Sequence, residues 1–463
     1  MVFLFFAVVG RGGGAAPTET IAAGRRSYGG RVIMHLDVYG DTLTALVTAA
    51  ALSSTGHTVT LRVPPGQVAN ELDAGRMPYQ EPGLEAMLDE QQRIGRLLTG
   101  DFGDMPTDRT EAVFLALSPA AMAEAENIID QLAARREHSW LVVNQSNFPV
   151  GTTEALQQRL RDGADAGVDR AVVVLPEMLQ EGAALQSFMR PSSILIGCDS
   201  DWAEIQIREL LRPFNRLRDL IRMLRPREAE FTKLAINGML ATRLGFMNDM
   251  ACLADELKVD IEAVRQGMGA DPRIGEAYLY PGCGFGGLNF SRNVMSLANT
   301  LEASGVGSEL LEQILLINER QKEVLFRKLW QHYRTNLRGR TVALWGAAFK
   351  PGTGRIDNAP ALKLMEALWA QGVTVRVHDP RALPTLQAYY GERDDLVLCE
   401  GQYDAARGAD ALMLVTEWKD YWSPDYPRLR QLMAQPLLLD GRNILDPAFV
   451  RASGFVYYGI GRQ

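Results

Sequence analysis

At 463 residues the chain exceeds what one hydrophobic core holds, so two or three domains are expected. An apolar fraction of 47% beside 22% charged residues is that of a soluble globular protein, and a net charge of −8 argues against a general nucleic-acid or acidic-membrane partner. Cys198, Cys252, Cys283 and Cys399 lie far apart, with no C-x-x-C and no histidine cluster, so they read as reduced thiols rather than a disulfide or metal framework, and the expected compartment is the cytoplasm.

Met1 to Val9 is apolar but too short to span a bilayer, and no Lys or Arg precedes it, so a signal peptide is the lesser reading. Residues 1–33, rich in Gly, Ala and Arg, read as a disordered extension or an upstream misassigned start.

Arg31 to Tyr39 alternates loosely and ends at Gly40; a helical stretch and then VTLRV follow, which reads as strand, helix, strand. A dinucleotide-binding turn at this point has G-x-G-x-x-G, so that backbone can approach a pyrophosphate. Here it reads Gly40-Asp41-Thr42-Leu43-Thr44-Ala45. Ala45 is a tolerated variant, whereas Thr42 and the Asp41 charge both oppose an anion. The acid expected at the end of the second strand is replaced by Val63; Arg62 beside it is the residue type that suits an NADP preference, but it would not repair Thr42. A Rossmann-like fold retained without its ligand is the reading these residues favour.

Pro176 reads as opening a helix, which would place Glu177 and Glu181 four residues apart on one face. Ala229 to Asp260 reads as one long helix, apolar over more than half its circumference and hence buried or paired with a second subunit. Lys233 and Asn237 share one face of it. The stretch YPGCGFGGLNFSRN, from Tyr280 to Asn293, carries Gly282, Gly284, Gly286 and Gly287, and must be a shaped loop. Gly339 to Pro380 is a second strand, helix, strand unit.

The segment DPRIG and the loop after it resemble the active-site region of the UDP-glucose/GDP-mannose dehydrogenase family, where the loop reads GGSCFPKD; here it reads GGLNFSRN. The resemblance covers nearly everything from Met34 to about Asp446 and favours the bacterial UDP-glucose 6-dehydrogenases. It implies an α/β fold of two Rossmann-like doubly wound domains joined by a long central helix. The implied division is 34–225 for an NAD-binding-like domain, 226–325 for a central dimerisation region with the active-site loop, and 326–463 for a domain binding the UDP-sugar.

The family reaction passes two hydrides to NAD through a cysteine thioester. The resemblance places that cysteine at Asn289, the loop lysine at Arg292 and the loop aspartate at Asn293. An amide forms no thiohemiacetal or acyl intermediate. Cys283, six residues upstream, reads as a packed thiol. The resemblance further assigns proton transfer to Glu177 and oxyanion stabilisation to Lys233 and Asn237. To the sugar nucleotide it assigns Glu181, Gly286, Lys350 of "AFKP" and Arg442 of "DGRN", and it has Arg273 reaching the neighbouring subunit's ligand. Ser118 in FLALSP, Asn147 in VVNQSNFPVGTT and Asp357 in GRIDNAP fall at altered cofactor-side positions, the last replacing an arginine that reaches cofactor phosphate.

The expectation is a nucleotide-sugar dehydrogenase homologue that has lost much of its catalytic machinery but still holds UDP-glucose or a related sugar nucleotide. It would be a homodimer, or a hetero-oligomer with an active paralogue, with no nucleic acid, membrane or metal partner. NAD is the family's cofactor, and the altered residues oppose its binding. The alternative is an active NAD-dependent oxidoreductase that takes UDP-glucose to UDP-glucuronate or only to the aldehyde.

Overall fold

The structure, a computed structural model, describes residues 33–462. Residues 1–32, which hold nearly all of the expected extension, lie outside the described residues. No helix among the described residues is long and apolar enough to cross a membrane.

The first sheet has eight strands: β1 (His35–Tyr39), β2 (Thr58–Val63), β3 (Leu97–Asp101), β4 (Thr110–Leu115), β5 (Trp140–Asn144), β6 (Arg170–Val174), β7 (Ile194–Gly197) and β8 (Ile221–Leu224). Their order is β3-β2-β1-β4-β5-β6-β7-β8, parallel throughout except between β6 and β7. The runs WLVVN and RAVVV are buried at every position, as expected for parallel strands covered on both faces. The order reverses between β1 and β4, where an open α/β sheet forms its crevice.

The second sheet repeats this plan in six strands: β9 (Thr341–Trp345), β10 (Thr374–His378), β11 (Leu396–Leu398), β12 (Ala411–Leu414), β13 (Leu437–Asp440) and β14 (Val456–Tyr458). Their order is β11-β10-β9-β12-β13-β14, all parallel. The fold is therefore two Rossmann-like α/β units, as the sequence reading expects.

Between the sheets runs a 32-residue helix, Pro226–Leu257, three residues ahead of its expected limits and about 48 Å long at 1.5 Å per residue. Pro226 suits the first turn, and the Arg225 amide donates to the Glu228 carboxylate at 2.9 Å, closing a capping box. Lys258 ends the helix in the left-handed conformation. Its inner face packs on the helices Leu288–Ala303 and Glu309–Gln321, where a Cβ on Gly238 would stand 2.8 Å from Leu297. Its outer face leaves Phe231, Met239, Phe246, Leu253 and Leu257 exposed, all within one narrow arc of the helix.

One expectation fails. Residues 175–180 are irregular rather than helical, so Glu177 and Glu181 do not share a helix face. Glu177 instead accepts a hydrogen bond from the Leu179 amide at 3.0 Å, and the Ser187 hydroxyl takes that of Gln180 at 3.3 Å. Side chains satisfy amides that a helix would have used.

Candidate functional site

The glycine-rich loop is fixed on three sides by hydrogen bonds to its backbone. Asn248 of the long helix accepts from the Gly282 amide at 2.9 Å, Asn318 accepts from Phe285 at 2.8 Å and donates back at 3.0 Å, and Gln321 donates to the Gly282 carbonyl at 2.8 Å. From the second sheet's side, the Gly441 carbonyl accepts from Cys283 and the Asp357 carbonyl from Gly287, each at 2.8 Å. Gly284 and Gly287 have φ of +93° and +90°, which L side chains rarely adopt. Gly286 meets a different limit, since a Cβ there would stand 2.6 Å from the Asn358 carbonyl. The loop thereby delivers Asn289 to the start of the helix Leu288–Ala303 in a fixed position.

A cleft of about 1370 Å³, partly open to solvent, lies beneath this loop. Glu177, Glu181, Lys233, Asn237, Gly286, Asn289, Asn293, Lys350 and Arg442 all line it, so the structure brings together residues drawn from five separate stretches of sequence. Lys233 and Glu177 are both over 90% buried and form an ion pair at 3.5 Å, and Asn147 donates to the same Glu177 oxygen at 3.3 Å. At the other end the Arg442 guanidinium donates to the Val415 carbonyl at 2.7 Å and to the Gly284 carbonyl at 3.1 Å, and pairs with Glu417 at 3.2 Å. Lys350 has no ion-pair partner within 4 Å among the described residues, and burial pushes its ammonium below the usual lysine range. The amides of Asn237, Asn289 and Asn293 make no hydrogen bond among the described residues, although Asn293 is only 5% exposed.

Sequence reasoning missed several members of this cleft. Phe285, Phe290 and Phe349 form its apolar wall, and Glu417 orients Arg442. The three phenylalanines lie within motifs already singled out, so adjacency was the available signal for them, whereas nothing in the sequence reading marked Glu417. Arg355 was also missed. It pairs with Asp357 at 2.8 Å and crosses to Glu181 at 3.1 Å, joining the 177–181 segment to the second sheet's loop. Burial raises the Glu181 carboxyl above its ordinary range, against the pull of Arg355.

Arg273 is not brought to the cleft of its own chain. Its side chain is 86% exposed and forms a two-point ion pair with Asp271. Cys283 is 1% exposed, and burial pushes its thiol up, which keeps it a packed group rather than a thiolate.

The first sheet's crevice has a different character. At Gly40, φ is +147° and a Cβ would strike the Ala116 carbonyl, while the Ala45 methyl packs 3.3 Å from that same point. What survives of the turn is what strand and helix need in order to pack. The Thr42 hydroxyl caps the helix Leu43–Ser54, accepting from the Ala45 amide at 3.2 Å and donating to the Ala116 carbonyl at 2.7 Å. Tyr79 donates to the Asp41 carbonyl at 2.8 Å. Val63 packs its half-buried side chain on the first core, and Ser118 is half-buried past the end of β4, its carbonyl accepting from Ala121. Arg62 does not face a nucleotide 2′-phosphate as its position suggested. It is buried in an ion pair with Asp37 at 2.5 Å, and Thr110 holds the other Asp37 oxygen at 2.7 Å. Asn147 lines a second cavity of about 690 Å³, with Ser146, Pro119, Arg292 and Ser296, which shares Lys233 and Asn293 with the main cleft.

Comparison with known proteins follows this geometry. Residues 34–215, 227–320 and 343–447 match, in turn, the NAD binding domain, the central domain and the UDP binding domain of the UDP-glucose/GDP-mannose dehydrogenase family. The chain is 41% identical over 443 residues to UDP-glucose 6-dehydrogenase of Pseudomonas aeruginosa, covering 93% of this chain and 98% of that one. The chain belongs to the UDP-glucose/GDP-mannose dehydrogenase family. A second relative, UDP-glucose 6-dehydrogenase of Rhizobium meliloti, is 30% identical over 439 residues, covering 93% of this chain and all of that one. Among solved structures, a UDP-glucose dehydrogenase of Pyrobaculum islandicum superposes with a TM-score of 0.83 at 28% identity, covering 94% of this chain and 99% of that one. As a dehydrogenase family member, the chain carries the UDP-binding domain whose Lys350 and Arg442 stand in the cleft described above.

Proposed function

We propose that this chain is a nucleotide-sugar-binding member of the family that has lost its dehydrogenase turnover. The observation that carries the reading is the pairing of an intact substrate cleft with an amide, Asn289, at the position of the family's nucleophile. A carboxamide nitrogen and oxygen form no covalent adduct with a sugar aldehyde, and the only cysteine in the loop is buried and turned to the Val415 carbonyl. Lys350 and Arg442 hold the diphosphate of the sugar nucleotide, and Lys233 and Asn237 face its sugar.

The residues of the first crevice do not fit NAD. A pyrophosphate binds the free amides at a helix N-terminus, and here the Thr42 hydroxyl already takes the Ala45 amide and stands where the phosphate would approach. Asp41 adds negative charge beside it, and the Asp357 position offers a carboxylate already paired with Arg355 in place of a free cation. The chain acts in the cytoplasm through what it holds. It forms a homodimer, or joins an active paralogue, through the exposed apolar arc of the long helix, and Arg273, in the turn after the helix Ile261–Gly269, extends toward the second subunit's cleft.

The competing reading, a working oxidoreductase that makes UDP-glucuronate or stops at the aldehyde, draws on the intact Lys233–Glu177 pair. Calorimetric titration of NAD into protein saturated with UDP-glucose separates the two. UDP-glucose heat with no NAD heat is the expected result. NAD binding overturns the loss of cofactor, and failure to bind any UDP-sugar overturns the whole reading.

A further inference from the structure

We infer that the sugar nucleotide this cleft selects carries a carboxylate at C6, a uronate rather than the C6 alcohol. The inference rests on the nucleotide-sugar reading above and names the ligand class of the same site.

The helix Leu288–Ala303 begins at Gly287 with no side chain capping it, so the amides of its first turn have no intrahelical partner and open toward the cleft. Sixteen residues long, it concentrates positive potential at that end. A helix N-terminus alone does not define a site. Here Asn293, the sixth residue of the helix, is 95% buried, lines both the main cleft and the adjoining cavity, and has no hydrogen-bond partner among the described residues. Asn289, four residues earlier on the same face, is likewise unpartnered. Two amides and a free helix end thus offer donors around one point.

The charges nearby agree. Arg292 lines the adjoining cavity without an ion-pair partner among the described residues, and Lys233, whose charge is already shared with Glu177, stands between the two spaces. The cleft's own acids are held by partners: Glu177 by Lys233, Asn147 and the Leu179 amide; Glu417 by Arg442; and Glu181 by Arg355 through Oε1, its Oε2 being buried without a hydrogen bond among the described residues. Glu230, which borders the smaller cavity, accepts from the Gly151 and Thr153 amides and the Thr153 hydroxyl.

A carboxylate is an acceptor with two oxygens and about four lone-pair sites, so it can accept from several of these donors at once. A hydroxymethyl group presents one oxygen and no charge. The field that would hold a thiolate at position 289 instead holds a ligand anion, because the side chains at 289 and 293 are uncharged and no longer compete for it.

The test is calorimetric titration of the full-length protein with UDP-glucuronate, UDP-glucose and UDP. UDP-glucuronate is expected to bind at least about tenfold more tightly than UDP-glucose, as charge-assisted bonds exceed neutral ones. Asn293→Asp is expected to lower the ratio of UDP-glucuronate to UDP-glucose affinity at least about tenfold by placing a like charge against the carboxylate. Asn289→Asp, at a half-buried position that tolerates the change more easily, is expected to act in the same direction. Equal affinities, tighter UDP-glucose, or a ratio unmoved by both variants would overturn the inference and leave nucleotide-sugar binding standing. No binding of any of the three ligands would overturn both.

Discussion

The Thr42 hydroxyl donates to the Ala116 carbonyl, 74 residues away, at 2.7 Å, tying the turn after β1 to the chain that leaves β4. The bond lies across the point where the first sheet reverses its strand order and where a dinucleotide would enter. With the Ala45 amide also taken by Thr42, the crevice is stabilised from within by its own side chain.

Replacing Thr42 by Ala removes the helix cap and this cross-strand bond together. The expected loss is about 1 to 2 kcal/mol of unfolding free energy, read as a lower midpoint in urea with an unchanged slope. A change within about 0.3 kcal/mol would show that neither bond contributes in solution.

Lys350 gives the site a pH dependence. Burial holds its ammonium below the usual lysine value in the free protein, and a bound diphosphate favours the charged form, so binding takes up a proton at alkaline pH. UDP affinity is therefore expected to be level at neutral pH and to fall as pH rises through the lowered value of free Lys350. Calorimetry over roughly pH 7 to 10, in buffers of differing ionisation heat, reads the uptake directly. Lys350→Met should weaken binding at neutral pH and abolish the alkaline fall.

Restoring the nucleophile alone is not expected to restore turnover. Asn289→Cys places a thiol at the free helix end, where it ionises readily and should react with iodoacetamide, yet no NADH should form from UDP-glucose and NAD. NADH production by this single variant would show that the first crevice still accepts the cofactor.

The four native thiols should separate by burial. Cys198 and Cys252 are half-buried, whereas Cys283 and Cys399 are buried. Mass-spectrometric mapping of alkylated native protein is expected to find the first two labelled first and Cys283 labelled only on unfolding. Early labelling of Cys283 would return it to consideration as a reactive group.

Arg355 ties the two halves of the cleft through Glu181. Arg355→Ala leaves Glu181 buried without its cation, so its carboxyl should rise further and the protein should lose about 1 to 3 kcal/mol at neutral pH, less at acid pH where Glu181 is protonated. Urea midpoints at two pH values test this. An equal loss at both would remove Glu181 from the explanation.

Much of this molecule was legible in its sequence. The two strand-helix-strand units, the long helix and the glycine-rich loop follow from periodicity and punctuation, which are local signals. What was not legible depends on distant partners. Nothing near Glu177 shows that residues 175–180 refuse a helix, because the groups that satisfy them include Ser187 and the buried Lys233. Arg62 looked available beside Val63, yet Asp37 on the neighbouring strand β1 consumes it, and Asp37 is itself held by Thr110 of β4. Asp357 looked like a simple charge reversal, while the structure shows it balanced by Arg355 two residues earlier.

The loop from Tyr280 to Asn293 takes its shape from main-chain bonds to Asn248, Asn318, Gln321 and Gly441, none of which involves the side chains at 289, 292 or 293. Form and reactivity are therefore held by separate sets of atoms. Substitutions at those three positions can alter what the cleft does to a ligand while the ligand's berth stays where it was.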